Sequence, residues 1–328
     1  MFERKHTLSL SLFLFFVGSL IFYSFSSNWD RSEFKGVELQ SVYKEAMEES
    51  YFKDVLFYIV ENKKPSFMLK AKELTLNKTK KKTFVFDPEG HAFSSSGEKI
   101  YYSGKKGIYD QKAGILNFED DTMLRTQTTQ ARAKKMSYDL AQELVSMFLD
   151  VKTKTFYENE GDWIFLDSDK AKFRLNQKKS KYTGNVEGKI KRKKVYEDSL
   201  EFKSNELKLD MVKMSVDLRT DVWIKKRDFS AESRRGEIFL DNYNKKLKYF
   251  VMYDDIRVSE NVKMDGKMII RKAFSEKLEG MPSEGKIILT GYPKVYQLKD
   301  TIKGNMIVLR ENTDVVEVDD ANTKFNVD

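Results

Sequence analysis

The chain offers few of the histidines and cysteines that serve most often as catalysts and zinc ligands. It contains two histidines, His6 and His91, and no cysteine among its 328 residues. Histidine-based triads and zinc sites need several such groups, so we expect neither. Adjacent carboxylates occur at Asp120–Asp121, Asp254–Asp255 and Asp319–Asp320, and paired carboxylates can perform acid–base catalysis. We predict that they are solvated acids at turns or strand ends, and that the protein is not an enzyme and needs no cofactor or metal.

The composition indicates a thin apolar core. Hydrophobic residues make up 40% of the chain and charged residues 34%, with a formal net charge of +8, and the mean hydropathy is −0.58. Such a chain can line one face of a long sheet while the other face carries charge. No GxxxxGK[ST] loop is present, so we do not expect ATP binding. Aromatic residues among basic ones resemble base-stacking platforms, but alternating aromatic positions are more typical of a sheet core.

The N-terminus predicts a membrane anchor. Thr7 to Trp29 contains no Asp, Glu, Lys or Arg, and about 20 apolar residues suffice for a transmembrane helix. Basic residues precede this stretch, which places the N-terminus in the cytoplasm and the bulk across the membrane. We therefore predict a single-pass anchor over residues 1–27 and a tether over residues 28–50 that could include a short helix. The alternative is a cleaved signal peptide with a weak site at Ser24–Ser26.

A repeated hairpin organises the rest of the chain. From Phe202 to Ile224, apolar and polar residues alternate on either side of a polar turn, which predicts a hairpin with one dry face. Similar runs end in Asn or Asp at spacings of 33, 29, 37, 34 and 31 residues, at Asn77, Asp110, Asp139, Asn176, Asp210 and Asp241. A near-constant period of this length is typical of stacked repeats. We therefore predict an all-β protein built of antiparallel hairpins.

Alternation also predicts which side chains face inward. The inward set is Leu74, Leu76, Phe173, Leu175, Leu207, Leu209, Met214, Val216, Leu218, Ile238, Leu247, Tyr249, Val251, Ile287 and Leu289. These side chains either pack as an ordinary core or line an apolar groove, and the pattern alone does not separate the two.

Several motifs resemble those of lipopolysaccharide-transport proteins. Residues 106–126 (KGIYDQKAGILNFEDDTMLRT) and 131–147 look like LptC, whereas residues 166–188, 229–250 and 284–309 look like LptA and the OstA-like family. The most specific part is a strand–turn–strand motif formed by Leu289, Thr290, Gly291, Pro293, Val295, Gly304 and Asn305. LptC and LptA are ordinarily separate chains, so this chain resembles both in one.

The resemblance implies a fold and a function. The fold would be an open, twisted antiparallel β-jellyroll, with an LptC-like region at residues 51–157 and an LptA-like region at residues 158–328, either continuous with the first or separate. The function would be a periplasmic bridge that holds lipopolysaccharide acyl chains in an apolar groove. It would pass them from an inner-membrane ABC transporter toward the outer membrane. The alternative is a membrane-anchored structural or adhesive β-solenoid that binds protein or glycan on its outer face.

The resemblance also implies partners at both ends of the sheet. Such jellyrolls join edge to edge, through main-chain hydrogen bonds between added strands. The N-terminal edge, with Val55 and Ile59, is expected to meet a periplasmic jellyroll domain of the transporter. The C-terminal edge, with Met306, Val308 and Val316, is expected to meet another periplasmic or outer-membrane jellyroll. We expect the protein in the inner membrane with its bulk in the periplasm, so nucleic acid is not an expected partner.

Overall fold

In the computed structural model, the described part of the chain is almost entirely β-strand. The structure describes residues 50–61, 64–77, 81–156, 163–191, 199–240, 247–264, 266–281, 284–310, 313, 315–319 and 322–324. Their 22 strands connect into one antiparallel sheet, within a compact unit that spans Ala46–Asp328. The predicted all-β antiparallel class is confirmed, whereas the predicted anchor and nearly all of the tether lie outside the described residues. In the described ranges, no helix is long and apolar enough to cross a membrane.

The strands form three groups along the chain. The N-terminal group is β1 (Tyr51–Glu61), β2 (Lys64–Asn77), β3 (Lys82–Phe86), β4 (Glu89–Phe93), β5 (Lys99–Ser103) and β6 (Lys106–Asp110). The central group is β7 (Ile115–Arg125), β8 (Thr129–Asp139), β9 (Leu144–Phe156), β10 (Trp163–Arg174), β11 (Lys179–Lys191), β12 (Leu200–Asp210), β13 (Ser215–Lys226), β14 (Phe229–Leu240), β15 (Leu247–Met264) and β16 (Lys267–Met281). The C-terminal group is β17 (Lys286–Thr290), β18 (Lys294–Gln297), β19 (Asp300–Lys303), β20 (Met306–Arg310), β21 (Val316–Asp319) and β22 (Asn322–Lys324). A single 3₁₀ turn, Leu175–Gln177, joins β10 to β11 in the described part.

Each central strand bends near its middle, so its two halves belong to different layers. The halves next to the Asn/Asp turns, such as residues 206–210 of β12, form what we call the upper layer. The other halves, such as residues 200–203 of β12, form the lower layer. On β13, Thr220 and Asp221 have φ values of 62° and 53°, and the register with both neighbours shifts there. On β12, the Ser204 hydroxyl donates to the carbonyl oxygen two residues ahead at 3.0 Å, and serines on β10, β14 and β16 do the same. Such bulges bend a strand and increase its twist.

At both ends of the sheet, two short strands replace one long strand. β7 pairs with β6 in the upper layer and with β5 in the lower layer, and β16 likewise pairs with β17 and β18. The predicted motif around Leu289 makes the second split, because Gly291 and Tyr292, with φ values of 75° and 56°, turn the chain between layers. A Cβ on Gly291 would lie 2.6 Å from the Cβ of Glu276. The motif therefore requires glycine at this close approach.

The two layers face each other across one apolar core. Tyr102 of the lower layer lies 5.5 Å from Phe118 of the upper layer, ring centre to ring centre, and Phe229 of the lower layer lies 6.3 Å from Phe250 of the upper layer. One continuous cluster of buried apolar residues extends from β2 to β20. β9 and β10, which flank the predicted regional boundary, pair with each other. The division into residues 51–157 and 158–328 stays a prediction.

Candidate functional site

The inner face of the upper layer is a continuous apolar surface. In the register row next to the Asn/Asp turns, which we call the mouth row, each residue is the cross-strand partner of the next: Leu76, Thr83, Tyr109, Leu116, Tyr138, Val145, Phe173, Ser180, Leu209, Val216, Ile238, Phe250, Gly280, Ile287, Leu309 and Val316. The adjacent row contains Leu74, Leu207, Leu218 and Leu289 in the same way. Both rows cross the whole upper layer, so its apolar face is as long as the sheet.

The structure places most of the predicted inward residues in this interior. The buried ones are Leu74, Phe173, Leu207, Leu209, Met214, Val216, Leu218, Ile238, Ile287 and Leu289. Leu76 and Leu175 are partly buried and pack against the core. Leu247 belongs to β15, but its side chain is outside the described set. Alternation thus identified the inner face, while contact of these residues with lipid stays a prediction.

On β15, the predicted alternation is out of phase by one residue. Phe250 continues the mouth row, so Tyr249 and Val251 point to the other face. The Tyr249 ring stacks on Phe239 at 4.7 Å between ring centres, and Val251 is the cross-strand partner of Glu237. The register therefore contradicts the prediction that Tyr249 and Val251 face inward, although Val251 is buried, at 4% exposure, on that other face. Apolar residues occupy both phases of this strand, so the pattern could not select the correct one.

The two layers leave an opening, which we call the mouth, where the turn ends of the upper layer meet the strand ends of the lower layer. A cavity of about 190 Å³ lies there. Its apolar walls come from Leu124, Phe156, Phe173, Leu175, Leu209, Met211 and Met214. The cations Arg174, Lys178 and Lys179 lie at the same opening. Four predicted inward residues therefore meet at one cavity, and an apolar chain with an anionic end matches both its walls and its rim.

Hydroxyl groups lie in the interior next to the mouth. Tyr182 packs edge-on against Phe173 at 5.9 Å between ring centres, and burial raises the pKa of its phenol to about 12, although the nearby hydroxyls of Ser180 and Thr153 act in the opposite direction. These contacts lack hydrogen-bond geometry, since neither Tyr182 Oη nor Thr153 Oγ1 has a hydrogen-bond partner in the described structure. The apolar interior next to the mouth therefore also contains polar oxygen atoms.

A buried ion pair ties the layers together near the C-terminal end. Arg271 is 0% and Glu260 3% exposed. Arg271 Nη2 and Nε donate to Glu260 Oε2 at 2.6 and 3.2 Å, and Nη2 also reaches the carbonyl oxygen of Arg310 at 3.4 Å. Arg271 and Glu260 belong to the lower layer and Arg310 to the upper, so the contact links the two. The sequence analysis missed this pair, although alternation with the buried Ala273 would have indicated an inward Arg271.

β1 is the outermost described strand at the N-terminal end of the sheet, and its role as a partner edge stays a prediction. β1 pairs with β2 and with no other described strand. It contains Val55 and Ile59. Leu56 and Tyr58 are each 59% exposed on the same strand. An exposed strand of this length with apolar side chains can accept another strand.

The C-terminal edge differs from the prediction. β20 pairs with β17 on one side and β21 on the other, so Met306 and Val308 lie in an interior strand and do not form an edge. The chain turns back after Arg310, whose guanidinium pairs with Glu317 at 2.8 Å, and this return adds β21. Val316 lies on β21, which is the outermost described strand of the upper layer.

Two of the three carboxylate pairs lie at strand bends, whereas Asp319 ends β21, as predicted, and Asp320 lies outside the described residues. Asp120–Asp121 and Asp254–Asp255 all have positive φ values in the middle of β7 and β15. Arg234 pairs with Asp255, and Arg235 pairs with Asp254 at 2.8 Å. A structural role in the bends accounts for these residues. In the part of the chain that the structure describes, no group of His, Cys, Asp and Glu could hold a metal ion.

Comparison with known proteins points to one family. Residues 166–315 match the family described as LptA/(LptD N-terminal domain) LPS transport protein. The predicted LptA-like resemblance is confirmed over these residues, whereas the LptC-like resemblance of the first region stays a prediction. Among solved structures, the chain is similar to LptH, the LptA-homologous periplasmic component of the lipopolysaccharide transport device from Pseudomonas aeruginosa, with 13% identity and a TM-score of 0.35 over 39% of this chain and 95% of that chain. No curated protein matches the sequence.

Proposed function

We propose, from the premise that residues 166–315 form an LptA-like domain, that the protein is part of a periplasmic bridge that carries lipopolysaccharide. The observation that carries the proposal is the apolar inner face of the upper layer, which crosses the sheet and opens at the mouth. Acyl chains bind between the layers, while the saccharide and phosphate groups stay outside. The protein binds and transfers its ligand without covalent chemistry, so it is not an enzyme.

The mouth suits the entry of an acyl chain. Each methylene that leaves water contributes about 0.8 kcal/mol, so burial of four methylenes contributes about 3 kcal/mol. Met211 and Met214 line the opening, and their unbranched side chains can repack around a chain. Arg174 and Lys178 at the rim can bind the phosphate groups of the lipid head, while Lys179 beside them pairs with Asp210 at 3.4 Å. A chain longer than the cavity enters by displacing the methionines and separating the layers.

Strand addition at the two edges connects the protein to a different partner at each end of the sheet. In this proposal β1 joins a periplasmic jellyroll domain of an inner-membrane ABC transporter, with the anchor at residues 1–27 holding the chain at that membrane. β21, with Val316, joins the next periplasmic or outer-membrane jellyroll. Both edges offer unpaired backbone groups among the described strands, which is the requirement for β-augmentation.

A membrane-anchored structural or adhesive solenoid is the second candidate. The close packing of the interior favours it, because Leu207, Leu218 and Leu289 are each 0% exposed. A sealed interior of this kind would hold no lipid, and binding of protein or glycan would occur on the outer face.

Site-specific photo-crosslinking in active cells separates the two candidates. A photo-crosslinker in place of Met214, on the cavity wall, is expected to capture lipopolysaccharide. The matched control is Val212, which lies in the same turn and is 66% exposed, and it is expected to capture little. No capture at Met214, or equal capture at both positions, would contradict acyl binding at the mouth.

A further inference from the structure

A straight row of cations crosses the outer face of the lower layer. Arg125, Lys154, Lys189, Lys225 and Lys272 belong to one register row in which each strand's residue is the partner of the next. The first four lie on β7, β9, β11 and β13, which are alternate strands. Because neighbouring strands are about 4.8 Å apart, these four cations are about 10 Å apart, and Lys272 on β16 lies three strands, or about 14 Å, beyond Lys225. The face therefore presents a line of positive charge, which we call the cation row.

Aromatic rings hold part of the cation row in place. Arg125 Cζ lies 4.6 Å from the ring centre of Tyr101. Lys154 Nζ lies 3.7 Å from the ring centre of Trp163 and 5.7 Å from that of Phe165. A ring attracts a cation through its quadrupole and leaves the net charge of the cation uncancelled. These contacts fix the positions of the cations while keeping their charge available.

One carboxylate, Glu201, lies in the row itself and neutralises part of it. Lys189 pairs with Glu201 at 2.7 Å, and Glu201 is also the cross-strand partner of Lys225 and interacts with it electrostatically. Arg125, Lys154 and Lys272 make no ion pair within the described ranges. On both outer faces other lysines pair with carboxylates, as Lys203 pairs with Glu187 at 2.6 Å in the lower layer and Lys181 with Glu206 at 2.9 Å in the upper layer. The positive charge of the cation row therefore rests mainly on Arg125, Lys154 and Lys272.

The cation row adjoins the mouth. Lys154 precedes Phe156 by two residues on β9, so both side chains lie on the same face of the strand, and Phe156 also lines the cavity. A ligand whose apolar part enters the mouth can therefore reach the outer face of the lower layer with its polar part.

We propose that the cation row binds the anionic saccharide chain of the ligand whose acyl chains occupy the mouth, and the identity of that ligand rests on the proposed function. A linear polyanion with phosphate or carboxylate groups can pair with successive cations of a line. An anionic membrane fits less well, because Lys154 covers the face of Trp163 that would have to enter the lipid. The row gives the saccharide a path along the sheet, parallel to the acyl path inside.

The test compares two double variants of the full chain that remove the same charge. One carries Lys154→Gln and Lys225→Gln in the cation row. The control carries Lys172→Gln and Lys208→Gln, which lie in one register row on the outer face of the upper layer. The probe is the deacylated saccharide released from lipopolysaccharide by alkali, with affinity measured across a salt series. At low salt, the row variant should bind the saccharide about tenfold more weakly than the wild type. In a plot of log K against log salt concentration, its slope should be shallower by about 1.4, because the variant releases two fewer counterions from a single-stranded polyanion. The control should bind like the wild type.

Several outcomes would overturn the inference. These are no saccharide binding by the wild type, equal weakening in both variants, or row-dependent binding of phosphatidylglycerol vesicles without saccharide binding. A fluorescent acyl probe separates this inference from the proposed function. Acyl uptake without saccharide binding overturns the cation row and leaves acyl transport intact. Saccharide binding that depends on the cation row, without uptake of the acyl probe, overturns the proposed acyl transport and leaves saccharide binding by the cation row intact.

Discussion

Removing one partner of the Arg271–Glu260 ion pair should destabilise the protein far more than removing both. Arg271→Met removes the guanidinium that pairs with Glu260, whose side chain is 3% exposed, and breaking a buried ion pair by removing one partner costs about 3 to 5 kcal/mol. Domains are stable by only about 5 to 15 kcal/mol, so this loss is a large fraction of the total. Adding Glu260→Leu replaces the pair by apolar groups, and such replacements are often neutral or stabilising.

Chemical denaturation followed by circular dichroism measures these differences. The control is Glu317→Gln, which breaks the Arg310–Glu317 pair whose side chains are 39% and 49% exposed, and its expected cost is below about 1 kcal/mol. The double variant should recover most of the stability that Arg271→Met loses. If Arg271→Met costs no more than Glu317→Gln, or if the double variant loses the sum of both single losses, the buried pair is not the contact that ties the layers.

Two further predictions concern the fold. Gly188→Ala should lower the free energy of unfolding by about 1 to 3 kcal/mol, because the added Cβ would lie 1.9 Å from the Phe202 ring. The control Gly236→Ala should lower it less, because its Cβ would lie 3.2 Å from Val222. Equal losses in urea denaturation would contradict this prediction. Burial raises the pKa of Asp210, but backbone amides in its turn and a nearby lysine outweigh it and hold the pKa below its usual range. The carboxylate therefore contributes stability above about pH 4 that is lost as the pH falls through the lowered pKa. In Asp210→Asn, the thermal midpoint should fall less steeply between about pH 5 and pH 2 than in the wild type. An unchanged dependence of the thermal midpoint on pH would contradict this prediction.

The turns and most of the inner face could be predicted because they depend on local sequence. Asp110, Asp139 and Asp210 each accept hydrogen bonds from backbone amides two or three residues ahead, as expected of Asp in turns. Alternation placed Leu207 and Val216 correctly because polar residues fill the opposite phase of β12 and β13. It failed on β15, where both phases are apolar.

The bends, the C-terminal edge and the full mouth depend on contacts between distant strands. Ser204 resembles any strand serine in sequence, and its role at the bend becomes visible only with the register shift beside it. Val308 became an interior residue because the chain returns after β20. Phe173 and Leu209 were found by alternation, but Met211 lies in a turn outside that pattern. Its place in the cavity depends on how the two layers meet.

Uptake of a fluorescent acyl probe by the delipidated full chain tests acyl binding most directly. Leu175 lies partly buried on the cavity wall, so Leu175→Trp should displace about two methylenes of a bound chain and weaken binding about tenfold, at about 0.8 kcal/mol per methylene. Val212→Trp, at a position 66% exposed, should have little effect. We predict uptake by the wild type, competition by lipopolysaccharide, and about tenfold weaker binding of the probe in Leu175→Trp alone. An absence of uptake, or uptake that is indifferent to Leu175→Trp, would contradict an acyl site at the mouth.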